Sequence, residues 1–249
     1  MSNICLLVLS YNHPQHTREC IESIVATNTQ HPIILIHNGS EQKWIDQLKQ
    51  QFPKIEHFTI QQNAGFSNGA NLGLQHAFER FEWAIFFTND TLARAIPAKL
   101  ELAAGLYAPV IWRRKVGVID SMGARFNPYQ QKLWHCRSAK DFSAKSPFSY
   151  PYVPGTAFIL HRDIWLAVGA FDESLHTYWE DVDFSVRVYR QHLKMGLFSE
   201  FELVHKVGKT CHKSAFYTNH LFQRNRKIIS HRYNKLFQLF QNTRFKLFR

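Results

Sequence analysis

The stretch Ile4-Cys5-Leu6-Leu7-Val8-Leu9-Ser10-Tyr11-Asn12 is a short apolar run that stops abruptly at polar turn residues. One such run suits a buried strand or a piece of core helix equally well, and its surroundings arbitrate. Further apolar runs follow at residues 33–36, 58–60 and 84–87, with amphipathic stretches at 17–25, 44–52 and 71–81 between them. This strand–helix alternation predicts an α/β domain with a mostly parallel sheet, helices on both faces, and ligands bound beyond the carboxyl ends of the strands.

The residues just after each strand are therefore the ones to read for chemistry. They are Ser10-Tyr11-Asn12, His37-Asn38-Gly39-Ser40, the segment 63–73, and Thr88-Asn89-Asp90-Thr91. Each is polar or glycine-rich, as turns generally are, but four in register exceed what loops require. Gly65, Gly69 and Gly73 stand four apart, which is neither the dinucleotide-binding glycine pattern nor a P-loop. Asp90 is the only carboxylate between Glu82 and Glu101, and it follows the apolar Ala84-Ile85-Phe86-Phe87. A lone acid there is well placed to hold Mg2+ or Mn2+ on a diphosphate through oxygen.

A second signal is Tyr178-Trp179-Glu180-Asp181-Val182-Asp183-Phe184-Ser185-Val186-Arg187, with three carboxylates in four positions at the start of a helical pattern. Free N–H groups and the macrodipole favour negative charge there, so one of these acids can serve as a general base. Glu180 and Asp183 share a helix face while Asp181 projects about 100° away, so the three do not share one job. Asp183 also precedes Arg187 by four residues, the favourable order for an ion pair. Read alone, the segment is satisfied by an acidic first turn with one structural pair.

With 249 residues, 45% hydrophobic and 14% aromatic, the chain is ample for a buried core. Cys5, Cys20, Cys136 and Cys211 are scattered, which argues against disulfides and structural zinc and for a reducing, cytoplasmic setting. No signal peptide and no apolar stretch long enough to span a bilayer is expected. Charge is uneven: residues 1–200 hold 19 Lys+Arg against 18 Asp+Glu, and residues 201–249 hold 11 against Glu202 alone. Phe222, Ile229, Tyr233, Leu236, Phe237 and Phe240 recur at helical intervals, with Arg224, Lys227 and Lys235 mostly on other faces. Such a basic amphipathic helix either lies on an anionic membrane surface or buries its stripe on the domain. Residues 244–249, which interleave Phe and Leu with Arg and Lys, tilt the expectation toward the membrane. No recognised nucleic-acid motif accompanies the charge, so nucleic acid is not an expected partner.

Taken in order, Ser10-Tyr11-Asn12, Asn38-Gly39-Ser40, the 63–73 segment, Asn89-Asp90-Thr91, Gly155-Thr156-Ala157, and the run from Val168 to Glu173 leading into Trp179-Glu180-Asp181-Val182-Asp183 resemble the family 2 glycosyltransferases, particularly the bacterial rhamnosyltransferase-like group. The resemblance covers roughly residues 3–230. It implies a GT-A type, Rossmann-like mixed sheet flanked by helices, with the basic C-terminal helix added. The glycosyltransferase domain is expected over 1–215, divided near 95 into nucleotide-sugar and acceptor halves, and the helical tail over 216–249.

By the resemblance, Ser10, Tyr11, Asn12 and Asn38 hold the nucleoside, and Gly65, Gly69, Asn71, Asn89 and Gly155 surround the diphosphate and donor sugar. Asp90 stands at the family's metal-binding acid pair, of which only the second acid is present, and His205 resembles the late histidine that approaches the Mg2+ or Mn2+ ion. Asp181 matches the general base, Glu180 precedes it as in the family, and Tyr178 and Trp179 are placed to stack on an acceptor. The implied reaction is an inverting transfer from a nucleoside-diphosphate sugar to a hydroxyl of a saccharide or lipid-linked acceptor. Bacterial surface polysaccharide or lipopolysaccharide synthesis, at the cytoplasmic face of the inner membrane, is the implied setting. The family's usual acid is replaced by His37, so an inactive glycosyltransferase-like scaffold and a basic membrane-binding protein stay as alternatives.

Overall fold

The computed structural model describes residues 3–113, 117–206 and 215–234. In chain order the elements are β1 (Ile4–Ser10), α1 (Pro14–Ala26), β2 (Ile33–Asn38), α2 (Gln42–Gln51), β3 (Glu56–Ile60), α3 (Gly65–Phe78), β4 (Trp83–Thr88) and β5 (Thr91–Ala95). Then come β6 (Leu106–Arg113), β7 (Ile119–Ser121), β8 (Ala124–Asn127), β9 (Lys132–His135), α4 (Ala139–Ser143), β10 (Tyr150–Tyr152), β11 (Ala157–His161), α5 (Arg162–Val168), α6 (Glu180–Arg190), β12 (Met195–His205) and α7 (Ala215–Tyr233).

The main sheet runs β3-β2-β1-β4-β11-β6-β12-β5, with β7 on β6. Its first four strands are parallel, as the alternating pattern predicts, while β11 and β5 run antiparallel to their neighbours. β1 is buried along its whole length, which is why it reads as a continuous apolar run. Its residues alternate between two cores. Cys5, Leu7 and Leu9 meet α3 and the aromatic group Phe86, Phe158, Phe171 and Phe184, while Ile4, Leu6 and Val8 meet Cys20, Ile21 and Ile24 of α1. Gly73 of α3 has Ile36 Cδ1 2.0 Å from where a Cβ would stand, so the helix lies on the sheet only because that atom is missing.

A small antiparallel sheet, β10-β8-β9, lies in sequence between β7 and β11 of the main sheet. It shares a third core with α6 and α7, in which Phe126, Trp179, Val182, Val186, Ile229 and Tyr233 meet. Of the foreseen apolar stripe, Phe222, Ile229 and Tyr233 pack on the domain, one of the two placements expected for it. Leu236, Phe237, Phe240 and residues 244–249 lie outside the described residues. No helix among the described residues is long and apolar enough to cross a membrane.

Two buried polar groups set stability. Asp183, 1% exposed, accepts from Arg187 Nε (2.9 Å), Arg232 Nη1 (2.6 Å) and Tyr233 Oη (2.7 Å), joining α6 to α7. Removing one partner of a buried, charged hydrogen bond costs about 2 kcal/mol. Tyr233→Phe should lower unfolding stability by about that amount in urea titration, with the fold retained.

The second group is His37, fully buried on β2 rather than at the strand's open end. His57 Nε2 donates to Phe52 O (3.1 Å), so His57 Nδ1 accepts from His37 Nε2 (2.9 Å), and His37 Nδ1 is left buried with no hydrogen-bond partner. Burial, with His57 and Lys49 nearby, pushes the His37 pKa down to about 4. Its neutral form is the folded one, so this contribution is complete above the ordinary histidine value near 6.5 and is lost as pH falls toward 4, where the unfolded chain takes up the proton. Denaturation at stepped pH should show His37 withdrawing about 3 kcal/mol across that window, and His37→Gln should flatten the slope.

Candidate active site

The carboxyl ends of β1, β2 and β4 open into one cleft of about 1140 Å³. Its walls are the first turn of α3, residues 176–179, the start of α6, Gly155-Thr156, His205, and Leu221 and Phe222 of α7. Leu133 and Tyr152 of the small sheet complete it. Its volume exceeds that of a typical single-ligand pocket and leaves room for a donor and an acceptor together.

On the first wall, Asn38 donates from Nδ2 to Gly65 O (2.9 Å) and to Asn63 Oδ1 (3.4 Å), which fixes the amide's orientation. Its Oδ1 is buried with no hydrogen-bond partner. Gly65 opens α3 at φ +93°, and His176 Nδ1 lies 1.5 Å from the position a Cβ would take, so only glycine fits. Asn12 joins the β1 and β2 loops: its N–H donates to Ser40 Oγ (2.9 Å) and its Oδ1 accepts from Glu41 N (3.0 Å). Tyr11 sits at the rim, 40% exposed.

Three residues expected here do not reach the cleft. Ser10 is buried and pairs its hydroxyl with Thr17 Oγ1 (2.7 Å). Gly69 is a packing notch, because a Cβ would come within 2.7 Å of Asn38 Nδ2. Asn71, expected at the mouth, is buried and spends its amide on Phe171 O (3.0 Å), Phe171 N (2.9 Å) and Glu173 Oε1 (2.9 Å). The segment 65–73 is mostly helix, so only its first residues meet a ligand.

At the end of β4, Thr88 Oγ1 donates to Asp90 Oδ1 (2.7 Å) and Lys206 N donates to Asp90 O (2.9 Å). His205 pairs with Thr91 across β12 and β5, which carries its Nε2 to 3.4 Å from Asp90 Oδ2. Asn89 borders the cleft but turns its Nδ2 onto Thr17 Oγ1 (3.0 Å). Among the described residues no group of three or more protein ligands converges. The Asp90–His205 pair fits a divalent cation that takes its other ligands from a diphosphate and water, since both carboxylate oxygen and imidazole nitrogen suit such ions.

The same cleft is lined by a carboxylate pair. Asp181 accepts at Oδ2 from Gly155 N (2.8 Å) and at Oδ1 from Val182 N (2.8 Å). Glu180 is buried beside it, and its Oε2 has no hydrogen-bond partner. Burial and the Asp181 charge raise the Glu180 pKa well above the carboxylate range. Burial raises that of Asp181 too, against the pull of the Gly155 and Val182 N–H groups. Burial thus disfavours a full charge on both acids, and the Gly155 and Val182 N–H groups favour Asp181 as the one that carries it. The helical wheel groups Glu180 with Asp183, yet Glu180, one turn nearer the N-terminus, lines the cleft while Asp183 is locked to α7.

Tyr178 lines the cleft and rests on Phe222, their centroids 5.9 Å apart. Trp179 is 2% exposed between Phe126 (5.5 Å) and Phe222 (5.4 Å). It borders the cleft, but with so little of it exposed most of its ring belongs to the third core. The sequence reading missed His176 and Thr177, whose backbone and side chains meet α3, and the α7 residues Leu221 and Phe222. The aromatic spacing of α7 was visible, but not that Leu221 and Phe222 would close a cleft.

Residues 5–102 match the model of the Glycosyl transferase family 2. No curated protein sequence matches the chain. Among solved structures it is similar to TarS of S. aureus at 16% identity and TM-score 0.55, covering 82% of this chain and 36% of that one. The 1–349 piece of TarS in complex with UDP aligns at 15% identity and TM-score 0.55, over 81% of this chain and 60% of that one. The mannosyltransferase PcManGT from Pyrobaculum calidifontis, in complex with GDP-Man and Mn2+, aligns at 14% identity and TM-score 0.58, over 84% and 58%. The chain thus spans less than two thirds of each of these structures, and at such identities what is shared is the fold. Residues 5–102 are thus similar to the Glycosyl transferase family 2, and the chain as a whole shares the GT-A fold of these solved structures.

Proposed function

We propose that this chain is an inverting, metal-dependent glycosyltransferase that moves a sugar from a nucleoside-diphosphate sugar to a hydroxyl of a saccharide or lipid-linked acceptor. The observation that carries the reading is one cleft lined by Asp90, His205 and Asp181 together, with Gly155-Thr156 between them: Gly155 N donates to Asp181, and Thr156 O accepts from Thr88, whose hydroxyl donates to Asp90. Asp181 takes the proton of the acceptor hydroxyl as that oxygen attacks the anomeric carbon, the bond to the diphosphate breaks, and the configuration inverts. A carboxylate raised by burial is a stronger base than a solvated one, and its position is fixed by the Gly155 and Val182 N–H groups. Asp90 and His205 would hold Mg2+ or Mn2+, whose charge stabilises the departing diphosphate.

Asn38 Oδ1, a fixed acceptor, suits a base that presents a ring N–H, as uracil, thymine and guanine do. UDP and GDP-Man, named for the TarS and PcManGT structures, both carry such a base. The basic chain after residue 200, with 11 Lys+Arg against Glu202, supports an acceptor in surface polysaccharide or lipopolysaccharide synthesis at the cytoplasmic face of the inner membrane.

Calorimetric titration with UDP, dTDP and GDP, each with and without Mn2+, tests the donor site. One nucleotide should bind with the metal present, and Asp90→Ala should weaken it at least about tenfold. If none binds, the scaffold reading takes its place. Asp181→Asn should keep nucleotide affinity while turnover falls by about 10² to 10⁴.

The pH profile should show an acid limb above the ordinary aspartate range, with activity lost as pH falls through the raised Asp181 value, because the base must be ionised. Glu180→Gln should leave that limb in place, since a neutral amide replaces a carboxyl that is already protonated. A limb displaced by about one unit or more would mean that Glu180 is charged in the working enzyme.

A further inference from the structure

The turn that enters α6 contains three residues in the left-handed region without glycine's freedom: His176 (φ 60°), Tyr178 (φ 72°) and Trp179 (φ 75°). Bulky residues stay there only when the surroundings over-determine them. From one side, the first turn of α3 grips the segment: Ser67 N donates to His176 O (3.0 Å) and Phe66 N to Thr177 Oγ1 (3.3 Å). From the other side α7 holds it: Arg224 Nη1 donates to Ser174 O (3.2 Å), just before the turn, and Asn225 holds the turn itself. Asn225 of α7, fully buried, donates from Nδ2 to Leu175 O (2.7 Å), Thr177 O (3.0 Å) and Tyr178 O (2.9 Å).

An amide has two N–H bonds, so one of them is shared between two carbonyls. No other side chain of this size serves. Aspartate offers acceptors to acceptors, leucine leaves the carbonyls buried and unmet, and glutamine is one methylene too long for a fully packed position. Immediately past the last of these carbonyls come Trp179, Glu180 and Asp181.

We propose that Asn225 is a positioning residue: by holding the carbonyls of Leu175, Thr177 and Tyr178 it fixes the left-handed turn that presents Glu180 and Asp181 to the cleft. The proposal rests on the reading of Asp181 as the base. Asn225 touches no reacting group and acts through the turn. Because α3 grips the same turn at residues that border the donor side, Asn225 also ties the geometry of the base to that of Gly65.

Amide hydrogen exchange over residues 175–182 and carboxyl titration of Glu180 and Asp181, both followed by NMR on the full chain, test it. Neither readout needs substrate, so a chain that binds no nucleotide would leave both intact and would sink only the proposed function. In Asn225→Ala, exchange over 175–182 should speed up at least about tenfold, and both carboxyls should titrate closer to ordinary values as water enters. Asn225→Ser, which keeps one donor, should fall between. Tyr233→Phe, which loosens the Asp183 end of α6, should lower stability while leaving both readouts as they are. Exchange and titration unchanged in Asn225→Ala, or moved equally by Tyr233→Phe, would overturn the proposal. If Asn225→Ala does not fold, the unmodified chain decides: slow exchange of the Asn225 side-chain amide protons supports the clamp, and fast exchange rejects it.

Discussion

Asp183 is a carboxylate with almost no contact with water, and a charge in that position has to be met from several directions. Arg187 meets it from its own helix and, with its remaining nitrogens, holds Val168 O (2.5 Å) and Ala170 O (2.7 Å) of the preceding loop. Arg232 and Tyr233 meet it from α7, and Arg232 reaches on to Asp172 (2.9 Å). The seating of α6 on α7 and on the 168–172 loop depends on this cluster. An arrangement of apolar residues could match its stability, but it would not pin α6, α7 and the 168–172 loop at one point.

Sheet and cleft divide the polar labour. Along β1, β2 and β4 polar side chains are nearly absent, and the few present gather at the carboxyl ends. The cleft there is lined by Asn38, Asp90, Glu180 and Asp181, and two buried acceptors among them, Asn38 Oδ1 and Glu180 Oε2, have no hydrogen-bond partner. Unmet buried groups of this sort weaken the apo protein and await a ligand to complete them.

The parallel half of the sheet was legible because its strands are buried on both faces, so burial and sequence pattern coincide. The antiparallel half was not. β5 hides in what reads as a turn at Thr91, and β12 carries Glu200 and Glu202 within a strand whose register shifts. Asp90, His205, Glu180 and Asp181 were legible as chemistry from residue type and place. Ser10, Gly69 and Asn71 have the same polar or glycine character, but their side chains serve packing and internal bonds, and sequence does not state which way a side chain turns. Trp179 reads as an acceptor platform until its neighbours Phe126 and Phe222 come together from positions 53 and 43 residues away.

The clamp at Asn225 closes on carbonyls that lie about fifty residues earlier in the chain. During synthesis β1 to β4 and the helices between them emerge in sequence order while α7 is still inside the ribosome. For that interval the turn before Glu180 and Asp181 is without the side chain that holds its carbonyls, and the last described helix to emerge is the one that supplies it.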